Sequence, residues 1–122
     1  MADPRHDLGE RAEAAVAAWL ERGGWILLAR RWRVPEGELD LVLLDPARVL
    51  VGVEVRARRT VRTGTPLESV DAAHLRRLRL ALARYATASS VRRTGTRLDV
   101  VSVTPVSRGR WRLRRHAGVD GW

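Results

Sequence analysis

Gly37-Glu38-Leu39-Asp40-Leu41-Val42-Leu43-Leu44 is followed by Asp45-Pro46-Ala47-Arg48 and then by Val49-Leu50-Val51-Gly52-Val53-Glu54-Val55-Arg56-Ala57. Two apolar runs flank a four-residue turn signal, and each run carries charge in its interior. The second run alternates cleanly. Val49, Val51, Val53 and Val55 take one face; Leu50, Gly52, Glu54 and Arg56 take the other. A hairpin closed at Asp45–Arg48 sets Asp40 opposite Glu54 to within one register step, with Cβ atoms ~5 Å apart. Carboxylates at that range repel, and burying them in apolar strands is costly unless a cation or an arginine compensates. A divalent cation gripping nucleic-acid phosphate is one such compensation. Arg56, two residues from Glu54 on the same face, is another.

On the N-terminal side, Asp7 to Arg22 reads as a helix. Leu8, Ala12, Ala15, Val16, Trp19 and Leu20 recur at three- and four-residue spacing, and Gly23-Gly24 ends it. Trp25 to Trp32 reads as a first strand, and Val34-Pro35-Glu36-Gly37 turns the chain into a second, Glu38 to Leu44. Beyond the third strand, Arg58 to Pro66 is a basic loop rich in Thr and Gly. A long helix is expected from Leu67 to Ser89, with Leu75, Leu78, Leu82, Tyr85 and Ala86 as its buried stripe. Strands are expected at Arg97 to Thr104 and Trp111 to Arg114, joined by Ser107-Arg108-Gly109-Arg110. The order α-β-β-β-α-β-β predicts an α/β fold, a central mixed five-stranded sheet with a helix against each face. Residues 1–122 read as one domain with an ordered core at about 7–115. Trp19, Trp25 and Trp32 read as core, and Asp99 with Arg97 as a structural ion pair.

Composition narrows the partner. The formal charge is +9, and all 23 basic residues are arginine. Guanidinium forks bind phosphate bidentately and never deprotonate, so the chain suits polyanions and offers no lysine ammonium to any chemistry. A sequence pI near 11.6 favours nucleic acid over an acidic protein or an anionic membrane. Without cysteine there is no disulfide and no thiolate metal site. No apolar run approaches the ~18 residues that span a bilayer. The polar N-terminus lacks a signal peptide's apolar core, so the cytoplasm is the expected location.

These motifs together resemble the YraN family of small bacterial proteins, which has a restriction-endonuclease-like fold akin to Holliday-junction resolvases. Gly9, Ala12-Glu13 and Trp19-Leu20 are similar to the family's opening pattern, and Gly37-Glu38-Leu39-Asp40 to its Gly-Glu-Ile-Asp. Val53-Glu54-Val55-Arg56 with Arg58 is similar to its Val-Glu-Val-Lys and following arginine. Gly64, Pro66 and Arg97-Leu98-Asp99-Val100-Val101 complete the match. Three positions depart from it: Arg56 replaces the motif lysine, His74 stands where another lysine is frequent, and Ala12 replaces a glycine.

The resemblance and the residues point to one candidate site. Asp40 and Glu54 are the candidate ligands for Mg²⁺ or Mn²⁺, hard cations that take carboxylate oxygens, with Glu13 as a further ligand. In the resembled nucleases the lysine orients the attacking water and stabilises the transition state. Arg56 can do the second but is a poor base, its pKa lying above ~12. It can equally neutralise Asp40 and Glu54 in place of a metal. Arg58, Arg59, Arg62, His74, Arg76 and Arg77 are the candidate phosphate contacts. Three functions stay open: a nucleic-acid-binding protein of the endonuclease-like superfamily with a degenerate metal site, a metal-dependent endonuclease acting on branched or flapped DNA, and an interaction protein whose basic face meets an acidic partner. Junction resolution would require two active sites and hence a dimer.

Overall fold

The computed structural model describes residues 4–57 and 71–119. Helix α1 (Pro4–Arg22) leads into β1 (Ile26–Val34), β2 (Gly37–Leu44) and β3 (Val49–Ala57); α2 (Ala72–Ala88), β4 (Gly95–Ser107) and β5 (Arg110–His116) follow. The five strands form one sheet in the order β1-β2-β3-β4-β5. Only the β3/β4 pair is parallel, so the sheet is mixed as the sequence predicts. No helix among the described residues is long and apolar enough to cross a membrane.

Each sheet face carries its own apolar cluster. Ala12, Val16, Ala17 and Leu20 of α1 pack with Leu41, Leu43, Val51, Val53, Val101 and Val103 on one face. Leu78, Ala81 and Leu82 of α2 pack with Leu39, Val42, Leu44, Leu50 and Leu98 on the other. The stripe expected on α2 is carried by Leu78 and Leu82 with Tyr85 and Ala86 packed beside them, Ala81 added and Leu75 only half-buried. Trp19 and Trp25 pack against the first cluster, and Trp32 against the second.

Local chemistry sets the boundaries. Helix α1 ends in a Schellman motif: Trp25 N–H donates to the Leu20 carbonyl at 3.1 Å, Gly24 N–H to that of Glu21 at 3.1 Å, and Gly24 takes φ +90°. The β2–β3 turn is built by Asp45, whose carboxylate accepts from the N–H groups of Ala47 and Val49, each at 2.9 Å. Helix α2 begins later than expected, at Ala72, because the Asp71 side chain caps it by accepting from His74 N–H at 2.7 Å. The remainder of that expectation, Leu67 onward to residue 70, lies outside the described residues, as does the loop from Arg58 to Pro66. Strands β1, β4 and β5 each run beyond their expected ends.

Gly52 is the seat of α2. A Cβ there would lie 3.1 Å from both Leu39 Cδ2 and Leu98 Cδ2 and 3.5 Å from Leu82 Cδ1. Gly52→Val is expected to cost about 1–3 kcal/mol by overpacking, read as a lower urea midpoint with unchanged m-value. A shift below a few tenths of a molar would mean that α2 slides away from the sheet freely.

Candidate functional site

The site forms where β2 and β3 separate. Their pairing runs from Leu44–Leu50 to Leu41–Val53, so Asp40 follows one step beyond, opposite Glu54, as the hairpin predicts. Alternation breaks at this point: Leu39 belongs to the α2-side cluster and Leu41 to the α1-side cluster. On the neighbouring strand, Arg31 adopts φ +49° between Arg30, paired with Leu41, and Trp32, paired with Leu39. In place of a continued ladder, the Asp40 carboxylate accepts from Val55 N–H at 2.8 Å. That bond fixes the aspartate against the strand bearing Glu54 and Arg56.

Both carboxyls are largely buried and both are pushed up, each to about 7. Burial is the main cause for Asp40, followed by the charge of Glu54; the Val55 N–H works the other way. Burial also dominates for Glu54, with the Arg56 charge opposing it. Arg56 Nη2 lies 3.4 Å from Glu54 Oε1, and Arg56 Nε is buried without a partner among the described residues.

His74, from α2, completes the near surroundings. Its Nε2 is 3.4 Å from Glu54 Oε1, and its Nδ1 is 3.4 Å from Arg77 Nη2. A guanidinium only donates, so Nδ1 accepts and the ring proton sits on Nε2, facing Glu54. Burial, then the Arg56 and Arg77 charges, lower the His74 pKa. The ring is therefore neutral at neutral pH and holds Glu54 by a long hydrogen bond.

Glu13 is engaged by β1. Arg31 Nε donates to its Oε1 at 3.0 Å, while Arg31 Nη1 reaches Glu10 at 3.2 Å. The left-handed turn at Arg31 puts that guanidinium under α1, a feature that helical spacing cannot reveal. Glu13 is still near enough for its charge to help raise both Asp40 and Glu54. Among the described residues, no group of three or more His, Asp or Glu side chains gathers at metal-binding range. Glu38 is occupied by Arg33 across the β1–β2 hairpin at 2.9 Å, a turn-supporting contact.

Of the candidate phosphate contacts, Arg76 and Arg77 are exposed on the first turns of α2. Arg58, Arg59 and Arg62 lie outside the described residues. Two contributions escape the motifs: Arg31, which binds Glu13, and His116, whose Nε2 is buried without a partner among the described residues. His116 pairs with Val100, itself the neighbour of Glu54, which places it on the Glu54 face. The register of three strands carries that signal, and no single motif does.

The family model described as uncharacterised protein family UPF0102 matches residues 12–103, and the chain belongs to that family. That match spans Glu13, Asp40, Glu54, Arg56, His74, Arg76 and Arg77. A UPF0102 protein of Bifidobacterium longum subsp. infantis is 44% identical over 73 residues, 60% of this chain and 59% of that one. One from Renibacterium salmoninarum is 44% identical over 80 residues, 66% of this chain and 67% of its own length. One from Ectopseudomonas mendocina is 52% identical over 67 residues, covering 55% and 56%. The matched part thus spans under two thirds of the Bifidobacterium and Ectopseudomonas proteins.

Proposed function

We propose that the protein binds nucleic acid, DNA in particular, through an endonuclease-like site in which Arg56 supplies the positive charge that a metal supplies elsewhere. The observation that carries this reading is the contact of Arg56 with Glu54 at 3.4 Å, beside an Asp40 pinned by Val55 N–H. One guanidinium against two repelling carboxyls leaves that face responsive to a further cation. The spare Arg56 Nε is a donor of the kind that phosphate oxygens take bidentately. The charge of +9 supports the same partner.

Metal-assisted phosphodiester hydrolysis is the second reading, favoured by the raised pKa values of Asp40 and Glu54. Two hard carboxylates fit Mg²⁺ or Mn²⁺, and Asp40 and Glu54 would hold it. When bound, the ion would lower the pKa of a water and polarise phosphate. Against it stand the engagement of Glu13 by Arg31 and the lack of a lysine anywhere in the chain.

One experiment separates the readings: thermal unfolding with 0, 1 and ~10 mM Mg²⁺ for the wild type, Asp40→Ala and Arg56→Lys, alongside a nicking assay on flapped DNA. A Kd in the millimolar range with ~10 mM ion adds about 1–2 kcal/mol, a melting shift of several degrees for a domain this size. The wild type is expected to shift by under one degree and to leave DNA intact, while Arg56→Lys gains both a shift and cleavage. A wild-type shift abolished in Asp40→Ala, with nicking, would establish the second reading instead.

A further inference from the structure

Strand β5 is amphipathic along its whole length. Trp111 and Leu113 pack against the α1-side cluster. Arg110, Arg112 and Arg114 alternate with them, project from the opposite face and are exposed. None of the three is in an ion pair among the described residues. Between Gly95 and His116 the one acidic residue is Asp99, held by Arg97 and Arg115. The nearest carboxylate of α1, Asp7, lines a surface pocket with Arg110 and is itself paired with Arg11.

The register shows where the row leads. Arg112 pairs with Thr104, Arg114 with Ser102 and His116 with Val100; Ser102 in turn neighbours Arg56, and Val100 neighbours Glu54. Arg110, Arg112, Arg114 and His116 therefore line the same sheet face as Glu54 and Arg56, and converge on them. Helix α2 packs over β1 to β4 and makes no substantial contact with β5, so among the described residues no helix covers this part of the face.

An edge strand carries charge to prevent strand addition, but charge of either sign serves that purpose. Three arginines spaced ~6.8 Å apart, twice the strand rise, repel one another and suit a repeating anion. We infer that the β4–β5 hairpin is a rail for the phosphodiester backbone of one DNA strand, delivering it to Glu54 and Arg56. This rests on the nucleic-acid reading above and adds to it the surface and the path. Strand β5 lies beyond residues 12–103, which the family match covers. The rail reads backbone and not sequence: Trp111, which could have stacked on bases, is turned to the other face beneath Arg11, whose guanidinium lies 5.4 Å from the ring centroid.

The test is fluorescence anisotropy of a labelled DNA duplex with a single-stranded arm, at 50–200 mM salt. Four proteins are compared: the wild type, R110Q/R112Q/R114Q, R110K/R112K/R114K, and R22Q/R30Q/R93Q, which removes the same charge from exposed positions away from the hairpin. Each phosphate contact contributes about 0.7–0.9 to the slope of log K against log salt. The hairpin glutamine variant is expected to lose about 2–3 from that slope and at least tenfold in affinity. The lysine variant should keep the slope, and the displaced control should lose under 1. Equal losses in the two glutamine variants would overturn the rail while leaving DNA binding intact, as would a lysine variant that fails to bind. Displacement of the DNA by poly-glutamate at equal charge would overturn it in favour of an acidic protein partner. A wild type without salt-dependent binding removes both the rail and the proposed function.

Discussion

Asp99→Ala is expected to lower the unfolding free energy by about 3–5 kcal/mol, the cost of breaking a buried ion pair from one side. The Asp99 side chain is fully buried. Arg97 donates to it at 2.8 and 3.2 Å, Arg115 at 3.0 Å and Gly118 N–H at 3.0 Å. Arg97 also reaches Asp45, the builder of the β2–β3 turn, at 3.0 Å. Both guanidiniums lie over the Trp25 ring, at 5.9 and 5.2 Å from its centroid. Without Asp99, two cations would face each other under an indole, and one N–H would lose its acceptor. A domain of this size holds roughly 5–15 kcal/mol in all, so the variant should sit near its threshold. Urea unfolding followed by tryptophan fluorescence measures the loss. Asp99→Asn keeps the shape without the charge and should fall between. A loss under 1 kcal/mol for the alanine variant would mean that water replaces the carboxylate, and that the cluster does not lock the α1-side core.

The second large effect is on pH dependence. In the unfolded chain Asp and Glu titrate near ~3.9 and ~4.3; in the folded protein Asp40 and Glu54 titrate near about 7. Between these values the folded state binds more protons, so stability falls as pH rises from about 4 to 7 and levels off above. In metal-free buffer, the gain from pH 8 down to pH 5 is expected to be on the order of 2–4 kcal/mol for this coupled pair. His74 acts in the opposite sense, since its lowered pKa favours the fold as pH rises through that range. Glu54→Gln isolates the carboxyl contribution. It is expected to stabilise the protein at pH 8 by about 1–3 kcal/mol and to have little effect at pH 5. Equal unfolding free energies for wild type and variant at both pH values would mean that the two carboxyls are solvated and separate. The same mutation should weaken any function of the site, the usual trade-off where charge is held under strain.

Much of this site was legible before any coordinates. The hairpin from Glu38 to Ala57 required only a turn signal and a two-residue alternation, and it placed Asp40 opposite Glu54 with Arg56 beside it. The Asp99–Arg97 pair was legible because residues two apart on a strand share a face. Glu13 is expected at the metal cluster from the resemblance carried by Ala12-Glu13. Its observed partner, Arg31, is 18 positions away and reaches it through a left-handed backbone residue. No local pattern encodes such a contact. The further contacts of this pair come from other elements for the same reason: Arg115 and Gly118 N–H reach Asp99, and Asp45 takes the free end of Arg97.

The sequence by itself determined the element order, the two faces of β3, the charge of +9 and the want of lysine, because these follow from residue type and short-range period. The tertiary structure alone decided three things: Asp40 leaves the ladder to bind Val55 N–H, Arg31 binds Glu13, and the arginines of β5 share a face with Glu54. The physical reason is that each depends on how separate elements are set against one another: the end of β2 against β3, β1 against α1, and β3 through β4 to β5. Register is fixed by burying apolar faces against both helices, a property of the whole sheet.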